Sequence, residues 1–451
     1  MIPLIASYVI GGLSRGTVLY GLTTVIIQMH TDSSTVKYTL TNTITAVLSV
    51  SCLLGSLLGT ILSPLIQNKF GRYQSLRIVS ILTLCISLVT APAIHWGYLF
   101  VCKLIGGFST VLMVTAIPAI GAEVLDAKIR GTVGSLTNVS LQLSMVLSNV
   151  VQFFISSNSK FYPVSVVLPS VFAVLMIIIC FMLKEPSEGG QQKVKVVNDN
   201  LMQRKYVKTV IVAVSLGMSI GATGLNPILQ YSTIIFKDTF NSPKSGTIGS
   251  IITSSLSFVF SIIVIPMIKK YKRKSLFILG LNLILICQLT IIITLYLNPP
   301  KKTQNGIILG ATFAFIFCYA FSSGSLFFVI MGEVFPVQVK TICVNIVMGV
   351  NLITLLITTF IFPLLKQQEN YLLYVCWVIL VQILIIVFIP ETHNKTLEQI
   401  EMEMIPEEFR TKYVESMQVE HKDTIILPKI EGLTRDELIV ANDQIETNAE
   451  L

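Results

Sequence analysis

Twelve long apolar runs divide this chain, and they constrain the fold more than any other feature of the sequence. An α-helix rises about 1.5 Å per residue, so roughly 20 apolar residues cross the hydrocarbon core of a bilayer. Each run meets that length, and the sequence therefore predicts an all-α membrane protein with twelve transmembrane helices. The runs lie at about residues 2–28, 43–67, 75–95, 97–121, 131–157, 163–184, 207–236, 246–268, 275–297, 305–333, 341–365 and 370–390.

Composition independently argues against a water-soluble protein of this size. Of the 451 residues, 53% are hydrophobic and only 12% are charged, whereas soluble domains carry roughly 25% charged residues. The chain has too little polar surface to face water on all sides, so its solvent is lipid. The net charge of +8 does not indicate nucleic-acid binding, because the basic residues lie in short loops between apolar runs.

Basic residues orient the predicted bundle. The loops after runs 2, 4, 6, 8 and 10, with their helix ends, hold 17 Lys and Arg residues, whereas the opposite loops hold 7. Because cytoplasmic loops carry the excess of positive charge, the first set of loops and both termini are predicted to be cytoplasmic. The predicted location is the plasma membrane.

A polar interruption near the middle of the chain separates six runs from six. The sequence predicts an N-terminal six-helix bundle at 1–184, a cytoplasmic linker at 185–207 and a C-terminal six-helix bundle at 208–390. Two such halves facing one cavity are typical of carriers. The remainder, 391–451, is predicted to be an acidic cytoplasmic tail with one short helix near Thr396–Met404.

An acid followed seven residues later by a base occurs at matching places in the two halves. Run 4 ends with Glu123, which is followed by Arg130. Run 10 ends with Glu333, which is followed by Lys340. Because a carboxylate at a membrane edge is costly unless it is paired, we interpret these groups and two loop arginines as a latch that opens and closes. The predicted latch residues are Arg72, Glu123, Arg130, Arg273, Glu333 and Lys340.

These motifs, in their order and spacing, resemble the sugar porter family of the major facilitator superfamily over nearly the whole membrane portion. That family carries a D-x-x-G-R-R loop after span 2, an E-x6-R at the end of span 4 and a P-E-[ST]-K-G exit from span 12. The resemblance implies a major facilitator fold with two six-helix bundles, transport of a sugar, and no cofactor. The matching residues are Gly71-Arg72, Pro118, Glu123, Arg130-Gly131, Glu333-Val334-Phe335-Pro336 and Pro390-Glu391-Thr392.

This chain departs from the family at the polar residues that the resemblance assigns to sugar binding. Run 7 contains Thr223-Gly224-Leu225-Asn226, similar to part of the family's Q-Q-x-[ST]-G-[IL]-N signature, but the paired glutamines fall on Ile220 and Gly221. An amide such as Asn226 can both donate to and accept from a hydroxyl. Each lost hydrogen bond costs on the order of 1 kcal/mol, so altered selectivity is predicted. The implied solute-binding residues are Asn138, Asn226, Tyr231, Ser254 (Ser257 in the alternative register), Phe328 and Asn351.

Run 1 indicates how transport is driven. Proton-driven members of the family place an Asp in span 1, and the matching position here is Leu22. Run 1 contains no Asp or Glu, whereas a proton carrier needs a titratable group inside the membrane. Facilitated diffusion is therefore predicted. Arg15, the only charge in run 1, either pairs near one face or lines the cavity.

Three functions remain compatible with this sequence. The first is a facilitative carrier of a hexose such as glucose, and the second is a same-fold carrier of a polyol, a nucleoside-like molecule or an organic ion. The third is a non-transporting sugar sensor, which the acidic tail favours. Eight cysteines inside apolar runs indicate packing rather than a metal or disulfide site. Four scattered histidines give no nucleophile–base arrangement, so the predicted partners are a small solute and the bilayer.

Overall fold

Helix occupies each of the twelve predicted runs in the computed structural model, which confirms the all-α prediction. We number the helices α1–α12 after the runs, and α7 and α10 are each divided into two parts. Nine of the described helices are long and apolar enough to cross a bilayer, and α5 and α6 contain shorter apolar helices. The structure describes residues 2–18, 42–90, 95–124, 127–157, 162–183, 206–231, 243–324, 326–335, 339–392 and 397–404.

The helices follow one another with short connections in both halves. In the N-terminal half they are α1 Ile2–Gly16, α2 Asn42–Phe70, α3 Arg72–Val89, α4 Trp96–Val124, α5 Ala127–Ser157 and α6 Tyr162–Met182. In the C-terminal half they are α7a Val207–Ala222, α7b Leu225–Gln230, α8 Pro243–Lys270, α9 Arg273–Leu297, α10a Lys301–Tyr319, α10b Leu326–Glu333, α11 Lys340–Ile361 and α12 Gln367–Phe388. A short helix in the tail, α13, spans Leu397–Met404.

Glycines bring α2 and α4 into backbone contact. A Cβ atom added to Gly107 would lie 1.9 Å from the carbonyl oxygen of Cys52, and one added to Gly55 would lie 1.8 Å from that of Leu104. The Ser56 hydroxyl donates across this contact to the Gly107 carbonyl oxygen at 3.2 Å. Small residues are typical of close helix pairs in membranes, where packing replaces the hydrophobic effect. Gly55 and Gly107 therefore allow α2 and α4 to pack with their backbones in contact.

The same device joins α7a to α11 in the C-terminal half. A Cβ atom on Gly221 would lie 2.5 Å from the Thr354 methyl carbon, and one on Gly217 would lie 2.7 Å from the Val347 carbonyl oxygen. α7a and α11 thus form a close pair.

The tail helix α13 also belongs to the C-terminal half, because its Ile400 is 2% exposed and packs into the core of that half.

Two helices are interrupted near their middle, at α7 and at α10. Gly224 separates α7a from α7b with a φ of 71°, in the left-handed region that favours glycine. Between α10a and α10b, Ala320–Gly324 forms a π-helical turn. A π turn leaves the regular hydrogen-bond ladder and occurs often at functional sites. Interrupted helices are tolerated inside a membrane where the freed backbone is buried in protein or lines a cavity.

Large apolar side chains cover the outward faces of the helices. Among them, Leu65 is 66% exposed, Phe181 is 70% exposed and Val387 is 63% exposed. A soluble monomer rarely exposes a continuous apolar surface of this extent. The exposed faces are therefore the lipid-facing surface of the bundle.

Candidate solute pathway and gates

Helix α7b bridges the two halves at the end opposite the loops that carry Arg72 and Arg273. We call the end with those loops the basic-loop end and the opposite end the far end. Gln230 of α7b donates from its Nε2 to the Ser49 carbonyl oxygen of α2 at 3.5 Å. The following Tyr231 is 1% exposed and stacks on Phe362, with ring centroids 5.0 Å apart. The segment after the Gly224 break thus contacts α2 of the other half.

Asn149 makes a second polar contact between the halves, also toward the far end. Its Nδ2 donates to the Ser250 carbonyl oxygen at 3.2 Å and to the Ser254 hydroxyl at 3.1 Å. Ser254, one of the predicted solute-binding residues, is fully buried in this contact and also donates to its own helix at Ser250. In the conformation described, Ser254 therefore holds α8 against α5.

Asn351 of α11 presents a buried polar atom beside the glycine face of α7a. Its side chain is 7% exposed, and its Oδ1 has no hydrogen-bond partner among the described residues. It lies between Val347 and Thr354, the two positions that α7a approaches most closely. A buried acceptor without a partner is costly, so Asn351 is suited to receive a hydroxyl of a bound solute. Asn226, another predicted solute-binding residue, is half-buried on α7b, the helix that follows α7a.

The π turn of α10 holds a second buried polar atom, the hydroxyl of Ser323. Ser323 is fully buried, and its Oγ has no hydrogen-bond partner within the described part of the chain. The adjacent Ser322 donates to the Cys318 carbonyl oxygen at 2.8 Å. The sequence analysis missed Ser323, because a π turn has no sequence pattern as distinct as that of a helix cap or a tight turn.

Two residues that the sequence did not single out support the break in α7. Gln288 of α9 donates from Nε2 to the Thr223 carbonyl oxygen at 2.8 Å. The ring of Tyr374 packs so closely on Gly224 that an added Cβ atom would lie 2.4 Å from it. The backbone at the break is therefore held by α9 and α12, while α7b contacts the other half.

An ion-pair cluster closes the basic-loop end of the C-terminal half. Arg273 forms an ion pair with Glu333, with their side chains 22% and 30% exposed. The Arg273 Nη1 also donates to the Thr392 carbonyl oxygen at 3.3 Å. Glu391 Oε1 accepts from the backbone nitrogens of Arg273 at 2.9 Å and Lys274 at 3.3 Å. A carboxylate at a helix N-terminus is stabilised by the exposed N–H groups and the helix dipole. Glu391 occupies this position at the N-terminus of α9.

The structure places some of the remaining predicted residues and does not describe the side chains of others. Arg72 is exposed at the start of α3, directly after Gly71, whose φ is 80°. Of the predicted latch residues, the structure brings Arg273 and Glu333 together in an ion pair. Five predicted residues lie in described helices, but the structure does not describe their side chains, so their roles stay predictions: Asn138, Phe328, Glu123, Arg130 and Lys340.

A buried cation, Lys103, lies in the N-terminal half. Its side chain is 3% exposed, and Nζ donates to the Leu48 carbonyl oxygen at 3.4 Å. Lys103 lines a small cavity of about 30 Å³ together with Thr17 and Val18, which directly follow α1. Because a charge within the hydrocarbon region is costly, such residues are usually functional. Leu22, the position predicted to match a coupling acid, lies outside the described residues.

The fold defines a class: two six-helix halves, in contact through α2, α5, α7b and α8 and interrupted at α7 and α10, form a membrane carrier of the major facilitator type. A solved D-xylose-proton symporter has the same fold, with a TM-score of 0.72 at 21% identity, covering 88% of this chain and 99% of the symporter. The inward open xylose transporter XylE from E. coli also gives 0.72, at 20% identity, covering 88% of this chain and 98% of XylE.

The chain belongs to the sugar (and other) transporter family, whose model matches residues 8–188 and 183–404. The glucose transporter GlcP of Staphylococcus epidermidis is 24% identical, over 88% of this chain and 96% of its own length. Sugar transport protein 1 of Arabidopsis thaliana is 22% identical, over 82% and 81%. The family confirms the predicted resemblance and makes the chain a multi-pass membrane transporter rather than an enzyme.

Proposed function

We propose that this protein carries a monosaccharide, a hexose such as glucose, across the membrane by facilitated diffusion with alternating access. Relatives along almost the whole chain are named as glucose and sugar transport proteins. The observation that carries the proposal is the break at Gly224, which leaves α7b in contact with α2 of the other half. A segment hinged in this way can release one end of the pathway without unfolding α7a.

The contacts between the halves support one conformation within this proposal. Ser49, Asn149 and Ser250 lie roughly 11 Å from the far ends of their helices, at about 1.5 Å per residue. With the termini and basic loops cytoplasmic, the described state is closed toward the outside. Asn351 and Ser323 then lie inward of this closure, where a solute hydroxyl could reach them. Opening at the far end would separate α7b from α2.

The absence of an acid in run 1 favours uniport over proton coupling. Thr17 and Val18, which directly follow α1, share the Lys103 cavity. Neither side chain titrates in the physiological range, and the sequence holds no Asp or Glu between Asp32 and Glu123. Sugar flux should therefore follow the sugar gradient alone. Some relatives are named as proton symporters, so this point separates the chain from them.

Purified protein in liposomes tests the proposed function. We expect saturable uptake of a D-hexose that is stereoselective against its L-enantiomer and unchanged by an imposed pH gradient. Empty liposomes and liposomes with heat-unfolded protein provide the controls. Stereoselective uptake that accelerates with an inward proton gradient would overturn facilitated diffusion, and the absence of flux for every hexose would overturn the hexose assignment.

A second candidate solute is an organic anion, which two cations of the N-terminal half favour. Lys103 of α4 is almost completely buried, and Arg15 of α1 is half-buried. A positive site in a low-dielectric interior attracts an anion strongly. Adding a hexonate and a hexuronate to the liposome uptake assay tests this candidate. Exclusive transport of neutral hexoses would exclude an anionic solute.

Replacing Asn351 by alanine should weaken solute binding. The variant removes the buried Oδ1, which has no partner among the described residues, together with its amide. Loss of one hydrogen bond of about 1 kcal/mol corresponds to roughly a fivefold increase in KM. The matched control is Asn370→Ala, whose Nδ2 caps the end of α11 at the Phe362 carbonyl oxygen at 2.8 Å. If the two variants have the same KM, Asn351 is not in the solute site.

Replacing Glu333 by glutamine should shift the balance between the two access states. Glutamine keeps the shape of the side chain but removes the ion pair with Arg273, and half-buried pairs are worth about 1 kcal/mol. We expect the ratio of influx KM to efflux KM to change about threefold. Glu369→Gln is the control, since Glu369 caps α12 at the far end, where its Oε2 accepts from the Lys366 nitrogen at 3.1 Å. Equal ratios in both variants would contradict a latch.

A further inference from the structure

A pair of amide side chains lies on the outer surface of the C-terminal half, between α9 and α12. Gln382 Nε2 donates to Asn282 Oδ1 at 2.8 Å, and Asn282 is exposed. The surrounding side chains on both helices are apolar and turned outward: Leu279, Ile286, Ile379, Ile383 and Ile386 are 44% to 59% exposed. The pair is therefore a polar island on a surface whose other members suit lipid.

The depth of this pair places it in the hydrocarbon region. Asn282 follows the start of α9 at Arg273 by nine residues, roughly 14 Å of helix at about 1.5 Å per residue. Gln382 precedes the end of α12 at Phe388 by six residues, roughly 9 Å. Half of the hydrocarbon core measures about 15 Å, so both amides lie more than one helical turn inside the spanning segment.

Each amide retains polar atoms that the pair itself does not use. Across the residues that the structure describes, Asn282 Nδ2 and Gln382 Oε1 make no other hydrogen bond. One is a donor and the other an acceptor, and both belong to the same amide pair between α9 and α12. Such a surface is self-complementary under a two-fold axis, since the donor of one copy meets the acceptor of the other. Acyl chains offer no polar atom in exchange.

We propose that this surface, formed by α9 and α12 around Asn282 and Gln382, binds a second copy of this chain in the membrane. Asn282 Nδ2 of each copy donates to Gln382 Oε1 of the other, and the exposed leucine and isoleucine side chains pack around the two bonds. Side-chain amides that hydrogen-bond across helices are a known driving force for association in bilayers. The interface leaves the contacts between the halves of each copy intact, so it does not depend on the proposed solute.

The test measures the dimer population of the full chain in lipid bilayers. Fluorescently labelled protein is reconstituted over a range of protein-to-lipid ratios, and photobleaching steps are counted for single spots. We expect two-step spots for the wild type and about a tenfold smaller dimer population for the double variant Asn282→Leu with Gln382→Leu. Copper-catalysed cross-linking through Cys376, which is exposed on α12, gives an independent readout.

Thr290→Leu is the matched control, because Thr290 is exposed on the same helix but its hydroxyl donates to the Ile286 carbonyl oxygen at 2.8 Å within α9. We expect this variant to dimerise as the wild type does. Gel filtration in detergent verifies that every variant is folded. One-step spots for the wild type at all ratios would overturn the proposal, as would unchanged dimers in the double variant. Loss of dimers in Thr290→Leu would also overturn it, because association would then depend on the surface outside the amide pair.

Discussion

Replacing Gly224 by alanine should reduce solute flux at least about tenfold while leaving the protein folded. Gly224 has a φ of 71° and a ψ of 10°, a left-handed conformation that costs a non-glycine residue roughly 1–2 kcal/mol. An alanine Cβ would also lie 2.4 Å from the ring of Tyr374. The backbone at the break would move, and α7b with it, so Gln230 would no longer meet the Ser49 carbonyl oxygen.

Liposome flux and folded yield from gel filtration measure this effect. Gly306→Ala is the control, because a Cβ atom there meets nothing within 4 Å and alanine suits a helix. Adding Tyr374→Leu to Gly224→Ala separates the two causes: recovery of flux assigns the effect to the ring contact, and continued loss assigns it to the backbone conformation. Normal flux in Gly224→Ala alone would show that the break does not position the gate.

The helical spans could be predicted because their signal is local. A run of apolar residues long enough to cross a bilayer is visible in the sequence itself, and helix is the simplest way to satisfy its backbone in lipid. The segment Thr223-Gly224-Leu225-Asn226 was selected for its likeness to a family signature, and the structure breaks α7 at Gly224. Boundaries differed by a few residues, as at α3, which ends at Val89 rather than near residue 95.

The gate contacts could not be predicted, because they join residues distant in the sequence. Gln230 and Ser49 are 181 residues apart, and Asn149 and Ser254 are 105 apart. Nothing in the sequence near Asn149 marks it as a partner of α8. Glu391 was visible as part of the exit from α12, but its place at the N-terminus of α9 depends on how the two helices pack.

The candidate solute site was only partly accessible to sequence reasoning. Asn351 was selected by its likeness to a family position one turn away, and the structure adds the physical reason, a buried acceptor with no partner in the described part of the chain. Ser254 was selected in the same way, but the structure buries it in a contact between the halves. The proposed alternating access would reconcile the two results, because a residue that holds the halves together in one state is released in the other.

Replacing Gly107 by valine should prevent the N-terminal half from folding. The Cβ atom alone would lie 1.9 Å from the Cys52 carbonyl oxygen, whereas ordinary contacts of this kind are about 3.5 Å. Backbone atoms cannot rotate away as a side chain can, so α2 and α4 would have to separate by more than an ångström. Overpacking of this kind costs about 3 kcal/mol, a large part of the stability of a typical domain.

Gly349→Val on α11 is the matched control, since a Cβ atom at Gly349 meets nothing within 4 Å. We expect folded yield to fall strongly for Gly107→Val and to stay near wild type for Gly349→Val. The α2–α4 contact also positions the gate. Lys103 of α4 donates to the Leu48 carbonyl oxygen, and the carbonyl oxygen of the next residue, Ser49, accepts from Gln230. Any folded Gly107→Val protein should therefore have lost solute flux as well. Folded protein with normal flux would show that α2 is not held in place by its backbone contact with α4.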